Sequence, residues 1–343
     1  METIYLALQT DTLIRILLLG FLGFLVSMLI TPIYTTLAYR WQWWKKPRTV
    51  TTGQEASAWT QLPAERHKRL VPTMAGVIMV AAVCLVTLPF NLSRAETWLP
   101  LAAFAGAALV GLLDDIVTIR GRGSGLRAKL RLFLTAVVAL IGGLFFYFKL
   151  DTSSIHIPVV GTEWQIGWFI IPLFVLVVVA TANAVNISDG LDGLAGGLAA
   201  TAFGAYAIIA ALEGRFGVSG FCMTIVGALL SYTWFNVHPA RFFMGDVGSF
   251  ALGTALGVVA MLTDTMLLLP LIGLVFLVEA GSSILQTASK KLRGGKTIFK
   301  VAPIHHHFEA SGWPETKVTM RLWVVGQVCA VLGLILFLVG RYL

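Results

Sequence analysis

Leu13-Ile-Arg-Ile-Leu-Leu-Leu-Gly-Phe-Leu-Gly-Phe-Leu-Val-Ser-Met-Leu-Ile-Thr-Pro-Ile-Tyr-Thr-Thr-Leu-Ala38 carries one charge, Arg15, near its start. A helix crossing a bilayer needs about 20 predominantly apolar residues. The run meets that length. It is too long for a signal-peptide core and no small-residue cleavage site follows, so it reads as a retained span. Nine more apolar runs follow, at 72–90, 98–113, 130–148, 168–185, 194–212, 218–235, 248–262, 266–287 and 318–340. Only Thr263-Asp264-Thr265 separates the eighth run from the ninth, so nine spans is the alternative count.

Composition agrees. Of 343 residues, 57% are hydrophobic and 12% charged, where a soluble domain carries about 25% charged. Mean hydropathy is +0.83. The expected fold is therefore an all-α integral membrane protein of about ten transmembrane helices, a single polytopic domain over residues 1–343. Cys84, Cys222 and Cys329 all fall inside apolar runs and read as small buried hydrophobes.

Lys and Arg set the orientation. Nearly all of them lie in the loops after runs one, three, five, seven and nine: Lys45, Lys46, Arg48, Arg66, Lys68 and Arg69 in the first, Arg120, Arg122, Arg127, Lys129 and Arg131 in the second, Lys290, Lys291, Arg293, Lys296 and Lys300 in the last. The alternate loops hold Arg94, Lys149 and Arg215. The odd loops are thus expected in the cytosol and both termini outside. Residues 154–166 alternate around Gly161 and read as a short periplasmic β-hairpin.

That topology sorts the acids. Of eight aspartates, Asp114, Asp115, Asp189, Asp192 and Asp246 fall at the cytosolic edge. So does His305-His306-His307, inside a polar loop between the last two runs. Acids at a membrane edge are costly unless solvated or paired. Ordinary loop polarity would not select Asp over Glu, nor place the acids in glycine-rich settings. Asp114 and Asp115 are adjacent, so on a helix they diverge by about 100° and have different jobs. Asp189 and Asp192, in Asn183-Ala-Val-Asn-Ile-Ser-Asp-Gly-Leu-Asp-Gly193, share a face if that stretch is helical. Asp246 lies between glycines in Phe243-Met-Gly-Asp-Val-Gly-Ser249, with Asn236 upstream. Hard oxygen ligands of this kind suit Mg²⁺ shared with phosphate oxygens. In the ninth run Glu279, Ser282, Ser283 and Gln286 form one polar stripe. Glu279 reads equally as a site residue or as a bundle hydrogen bond; Gln286, nearer the cytosol, reads as part of the site. The histidine triplet is internal and followed by Phe308-Glu309, which sets aside a tag fragment. Imidazole suits proton transfer, hydrogen-bond donation and metal binding near neutral pH.

Asp114-Asp115, the stretches 183–193 and 243–249, and the loop 302–309 together resemble the polyprenyl-phosphate N-acetylhexosamine-1-phosphate transferases. The Ala-Pro before the histidine triplet and the Phe-Glu after it resemble the branch that handles muramoyl-pentapeptide. The resemblance runs from Lys68 to Glu309. It implies transfer of phospho-MurNAc-pentapeptide from UDP-MurNAc-pentapeptide to undecaprenyl phosphate, giving lipid I and UMP with Mg²⁺ as cofactor. It also implies a homodimer in the bacterial cytoplasmic (inner) membrane, its active site facing the cytosol. By the same resemblance Asp246 binds the metal and Asp114 and Asp115 are the acidic pair. Asn186, Asp189 and Asp192 line the nucleotide, and Asn236 is an amide near the metal. His305 and His306 are catalytic donors, and His307 and Lys68 contact substrate. Three positions depart from the family pattern. Val71 stands for a usual Thr, Ala75 stands for a usual Gly, and Thr118 stands where a Lys is common, so that Arg120, Lys129 or Arg131 could supply that charge instead.

Other readings stay open. A UDP-GlcNAc–polyprenyl-phosphate GlcNAc-1-phosphate transferase would share most of these motifs. An ion-coupled transporter would use Glu279 but would gather its ionisable groups near the midplane, often with inverted repeats. A scaffold would need none of these side chains. There is no Walker-type Gly-x-x-x-x-Gly-Lys, which argues against nucleotide hydrolysis.

Overall fold

The computed structural model describes residues 2–44, 71–121, 125–158 and 162–342. Each apolar run is helical, because a helix pairs its own backbone groups where no water can. In chain order the helices are α1 (Glu2–Arg40), α2 (Gly76–Phe90), α3 (Trp98–Arg120) and α4 (Ala128–Lys149). A hairpin, β1 (Ser154–Ile157) and β2 (Thr162–Gln165), follows. Then come α5 (Ile170–Ser188), α6 (Leu194–Leu212), α7 (Phe216–Asn236), α8 (Gly245–Leu262), α9 (Leu269–Ile272), α10 (Leu274–Leu292), α11 (Ile304–Glu309) and α12 (Glu315–Tyr342). The expected hairpin forms, antiparallel with His156 opposite Glu163; its tip, 159–161, lies outside the described residues, as does Lys68.

Eight of these helices are long and apolar enough to cross a membrane. α2 is apolar but shorter, and α10 carries Glu279, Lys290 and Lys291. The ninth apolar run breaks at Gly273 into α9 and α10. The third run extends well past its expected end, so Asp114 and Asp115 lie inside α3 instead of closing it.

α8 is the axis of the bundle. Its apolar window is 94% buried, against 28% for α1, α4 and α12. Those outer helices present large apolar side chains such as Leu29, Phe133 and Ile335 outward, as a surface solvated by lipid must. α3 and α5 pack directly on α8. The approach of α3 is close enough to need a glycine: a Cβ at Gly111 would lie 2.2 Å from the Asp246 carbonyl oxygen. That contact brings Asp114, one turn further along α3, level with the start of α8.

Candidate active site

The centre of the site is Asp246, in the first turn of α8. Asn186, near the end of α5, donates from Nδ2 to Asp246 Oδ1 at 3.0 Å and to Ser249 Oγ at 2.9 Å. Arg131, on the first turn of α4, donates from Nη1 to Asp246 Oδ2 at 3.0 Å. The same nitrogen lies 3.5 Å from Asp114 Oδ2. Asp114 Oδ1 accepts from the backbone N–H of Leu126 at 2.7 Å. The guanidinium also rests 5.2 Å over the Phe250 ring, a favourable placement for a cation.

Asp115 diverges from Asp114, as adjacent helical positions must. Its Oδ2 accepts from the backbone N–H of Val247 at 3.0 Å. It thereby caps the N-terminus of α8 from a neighbouring helix, where an anion is favoured. Thr118, at the position where a Lys was expected, donates to the Asp114 carbonyl at 2.8 Å. Of the three cations offered as substitutes, Arg131 is the one that reaches the carboxylates. Lys129 is exposed on α4.

The metal question rests on donor chemistry. Asp114 and Asp246 approach closely enough to interact directly through their carboxyl groups. Two carboxylates and one guanidinium leave a net negative charge at a largely buried point. Together with Asn186 and Ser249 they form a hard-oxygen set that fits a divalent cation. A second group, Asp192, His238 and Glu315, also has ligand atoms within 4.8 Å of one another.

The turn between α5 and α6 is not helical, so Asp189 and Asp192 do not share a helix face. Asp189 closes α5 and Gly193 opens α6 with φ +76°. The turn is stitched to three elements. Asp192 Oδ2 lies 2.9 Å from His238 Nδ1 and accepts from Ala240 N at 3.1 Å. Asp192 N donates to Glu315 Oε1 at 2.8 Å. Asn236, expected near the metal, accepts from Gly193 N at 2.9 Å and donates to the Phe242 carbonyl at 2.8 Å. It holds two loops in register from a buried position.

The histidines form their own short helix, α11. His305 Nδ1 lies 2.8 Å from Glu279 Oε2, and both side chains are fully buried. A Cβ added at Gly190 would fall 2.2 Å from His305 Nε2, so the imidazole abuts the α5–α6 turn. His306 Nδ1 pairs with Glu309 Oε2 at 2.6 Å. His307 Nδ1 accepts from the Lys300 N–H at 3.1 Å. Gln286, expected at substrate, is occupied by the loop before α11. It donates to the Phe299 carbonyl at 2.9 Å and accepts from Ile298 N and Phe299 N, each at 3.0 Å.

Three clusters thus gather at one end of the bundle: Asp114–Arg131–Asp246–Asn186, the 189–193 turn, and α11. Sequence reasoning named most members but missed Ser249, His238, Glu309 and Glu315 as partners. Ser249 and Glu309 end motifs already singled out; His238 and Glu315 were reached only through the fold.

Residues 97–264 match the family described as Glycosyl transferase family 4. Several relatives are similar over most of the chain. One from Geobacillus thermodenitrificans (strain NG80-2) is 38% identical over 322 residues, covering 91% of this chain and 94% of the relative. One from Chloroflexus aurantiacus (strain J-10-fl) is 42% identical over 284 residues, covering 78% and 77%. One from Bacillus anthracis (strain A0248) is 38% identical over 320 residues, covering 91% and 94%. Each of the three is named phospho-N-acetylmuramoyl-pentapeptide-transferase.

Proposed function

This chain belongs to the phospho-N-acetylmuramoyl-pentapeptide-transferase family, and from that premise we propose the reaction its site performs. It transfers phospho-MurNAc-pentapeptide from UDP-MurNAc-pentapeptide to undecaprenyl phosphate, releasing UMP and forming lipid I. A phosphate oxygen of the acceptor attacks the sugar-bearing phosphorus of the donor. The bond from that phosphorus to the bridging oxygen breaks, and UMP leaves with the electron pair. One phosphoanhydride replaces another, so no ATP is consumed.

The observation that carries this reading is the Asp114–Arg131–Asp246–Asn186 cluster at the end of a lipid-facing bundle. Phosphoryl transfer depends on positioning and charge neutralisation more than on covalent help. Asp246 and Asp114, with Asn186 and Ser249 beside them, would hold Mg²⁺. The ion, when bound, supplies charge neutralisation for the pyrophosphate oxygens. Arg131 orients the two carboxylates and adds positive charge next to the transferred phosphate. Asp115 keeps the start of α8 in place. The 189–193 turn, held by Asn236 and Glu315, receives the nucleotide, and His305 supports that turn from beneath.

The membrane setting follows from the acceptor: its prenyl tail stays in the bilayer while its phosphate reaches the bundle end. The Lys and Arg distribution supports ten spans in one domain, with both termini outside and the site in the cytosol. The family resemblance supports a homodimer.

The test is UMP release by purified protein in detergent, with UDP-MurNAc-pentapeptide and undecaprenyl phosphate, with and without Mg²⁺. UDP-GlcNAc runs in parallel and Asp246→Ala is the control. Mg²⁺-dependent release from the muramoyl donor alone, abolished in the control, is expected. Release from UDP-GlcNAc alone would move the protein to the sister branch of the superfamily.

A further inference from the structure

At the opposite end of the bundle lies a cavity of about 570 Å³, lined by residues from the hairpin, the α6–α7 and α8–α9 connections and the end of α12. The helix directions place it there: α6, α8 and α12 each start near the aspartate site and finish at the cavity. Its volume is that of a small-molecule site. The polar lining comprises Glu213, Arg215, Asp264 and Arg341, two guanidiniums and two carboxyl groups, with the His156 imidazole and the Thr265 hydroxyl beside them. Leu268 and Phe337 supply an apolar wall.

Glu213 is ion-paired to both arginines, but loosely. Glu213 Oε2 lies 3.7 Å from Arg215 Nε, and Glu213 Oε1 lies 3.9 Å from Arg341 Nη1. Both separations exceed hydrogen-bond distance, and buried Glu213 Oε2 makes no hydrogen bond. Both arginine side chains are about half exposed, at 44% each. Asp264 accepts from the backbone N–H of His156 at 3.0 Å through Oδ1. A buried carboxylate oxygen without a hydrogen bond is costly, and a donor arriving from a ligand would relieve it. Burial and the facing Asp264 push the Glu213 carboxyl up, to about 7, against the lowering pull of Arg215 and Arg341.

We infer that this cavity binds the head group of a zwitterionic phospholipid of the phosphatidylethanolamine class. Arg215 and Arg341 take the phosphate, as guanidiniums do. Glu213 and Asp264 take the primary ammonium, whose three N–H groups need acceptors. A purely anionic head group would compete with Glu213 for the two guanidiniums and bring no cation of its own for the two carboxyls. The cavity sits where lipid is at hand: Phe216 at the start of α7 and Leu338 beside Phe337 on α12 are exposed, so acyl chains can lie along apolar surface while the head group enters.

The experiment is native mass spectrometry of the full-length protein in mild detergent, titrated separately with phosphatidylethanolamine and phosphatidylglycerol. One phosphatidylethanolamine per chain is expected, bound about tenfold tighter than phosphatidylglycerol. Glu213→Gln and the double variant Arg215→Ala/Arg341→Ala should each weaken it about tenfold. Leu268→Trp keeps every charge but fills the cavity, and it too should remove the bound lipid. Thermal melting verifies that each variant is folded. Equal binding of the two lipids, or retention of phosphatidylethanolamine in Leu268→Trp, overturns the proposal. Soluble glycerophosphoethanolamine is the third arm; if it competes as strongly as the lipid, the cavity belongs to a soluble zwitterion and the lipid assignment falls.

Discussion

His305 Nδ1 and Glu279 Oε2 lie 2.8 Å apart with neither side chain exposed. This pair joins the histidine helix to the interior of α10, and through the ring it braces the turn at Gly190. Glu279→Ala leaves the imidazole without its acceptor in a buried site, which costs about 1–3 kcal/mol. Glu279→Gln keeps an oxygen at the same place. UMP release should therefore fall by about tenfold or more in the alanine variant and clearly less in the glutamine variant. The measurement is kcat and KM for the nucleotide donor alongside the melting temperature. Equal loss in both variants would mean that the charge matters, not the bracing.

Arg131 bridges Asp114 and Asp246. Arg131→Ala leaves two close carboxylates without their guanidinium, and UMP release should drop by about 100-fold, the scale of losing one charge-stabilising donor. Arg131→Lys retains the charge but not the planar fork, so it should recover only part of the activity. Lys129→Ala, at an exposed position, should change little. Comparable losses in the Lys129 and Arg131 variants would overturn the assignment of the missing family Lys to Arg131.

Gly111 permits the contact between α3 and α8. A Cβ there would meet the Asp246 carbonyl oxygen at 2.2 Å and the Val247 nitrogen at 2.6 Å. Gly111→Ala should destabilise the protein by about 1–3 kcal/mol, as overpacking does, and lower activity by separating Asp114 from Asp246. At Gly204 in α6 an added Cβ would meet nothing within 4 Å, so Gly204→Ala should be neutral or stabilising by about 0.4–1 kcal/mol. Thermal unfolding of the two variants in one detergent makes the comparison.

Glu213 gives a pH dependence at the other end of the bundle. Burial raises its carboxyl from 4.5 to about 7, with Asp264 adding to the rise and Arg215 and Arg341 opposing it. Because the folded pKa is raised, the folded state holds the extra proton between those values. Stability from this group is therefore full below about pH 4.5, declines as pH rises, and is lost above about 7. Glu213→Gln should melt higher than the parent at pH 8 and match it near pH 5. The opposite order at pH 8 would mean that the ion pairs with Arg215 and Arg341 outweigh burial.

The apolar runs made the helical membrane fold legible, since a stretch such as 13–38 has no other stable use for its length and composition. The hairpin was equally legible from alternation around one glycine. Helix ends were less so. The third run was expected to stop before Asp114, yet α3 continues to Arg120 because the polar side chains there find partners on α4, in the loop before it and on α8. The stretch 183–193 offered Asp189 and Asp192 at a helical spacing, but the chain turns, held by His238, Asn236 and Glu315 from distant parts of the sequence.

By itself the sequence determined which residue types are present and in what local order: apolar lengths, the asymmetry of Lys and Arg, five aspartates and three histidines grouped at one edge. Those are properties of short windows. Only the tertiary structure decided which side chain meets which. It paired Arg131 with Asp246, turned Asp115 away to cap α8, gave Glu279 to His305 and occupied Gln286 with a loop backbone. The reason is physical: a buried polar group must find its partner across helices that are far apart in the chain, and which groups meet depends on packing contacts as close as Gly111 on Asp246.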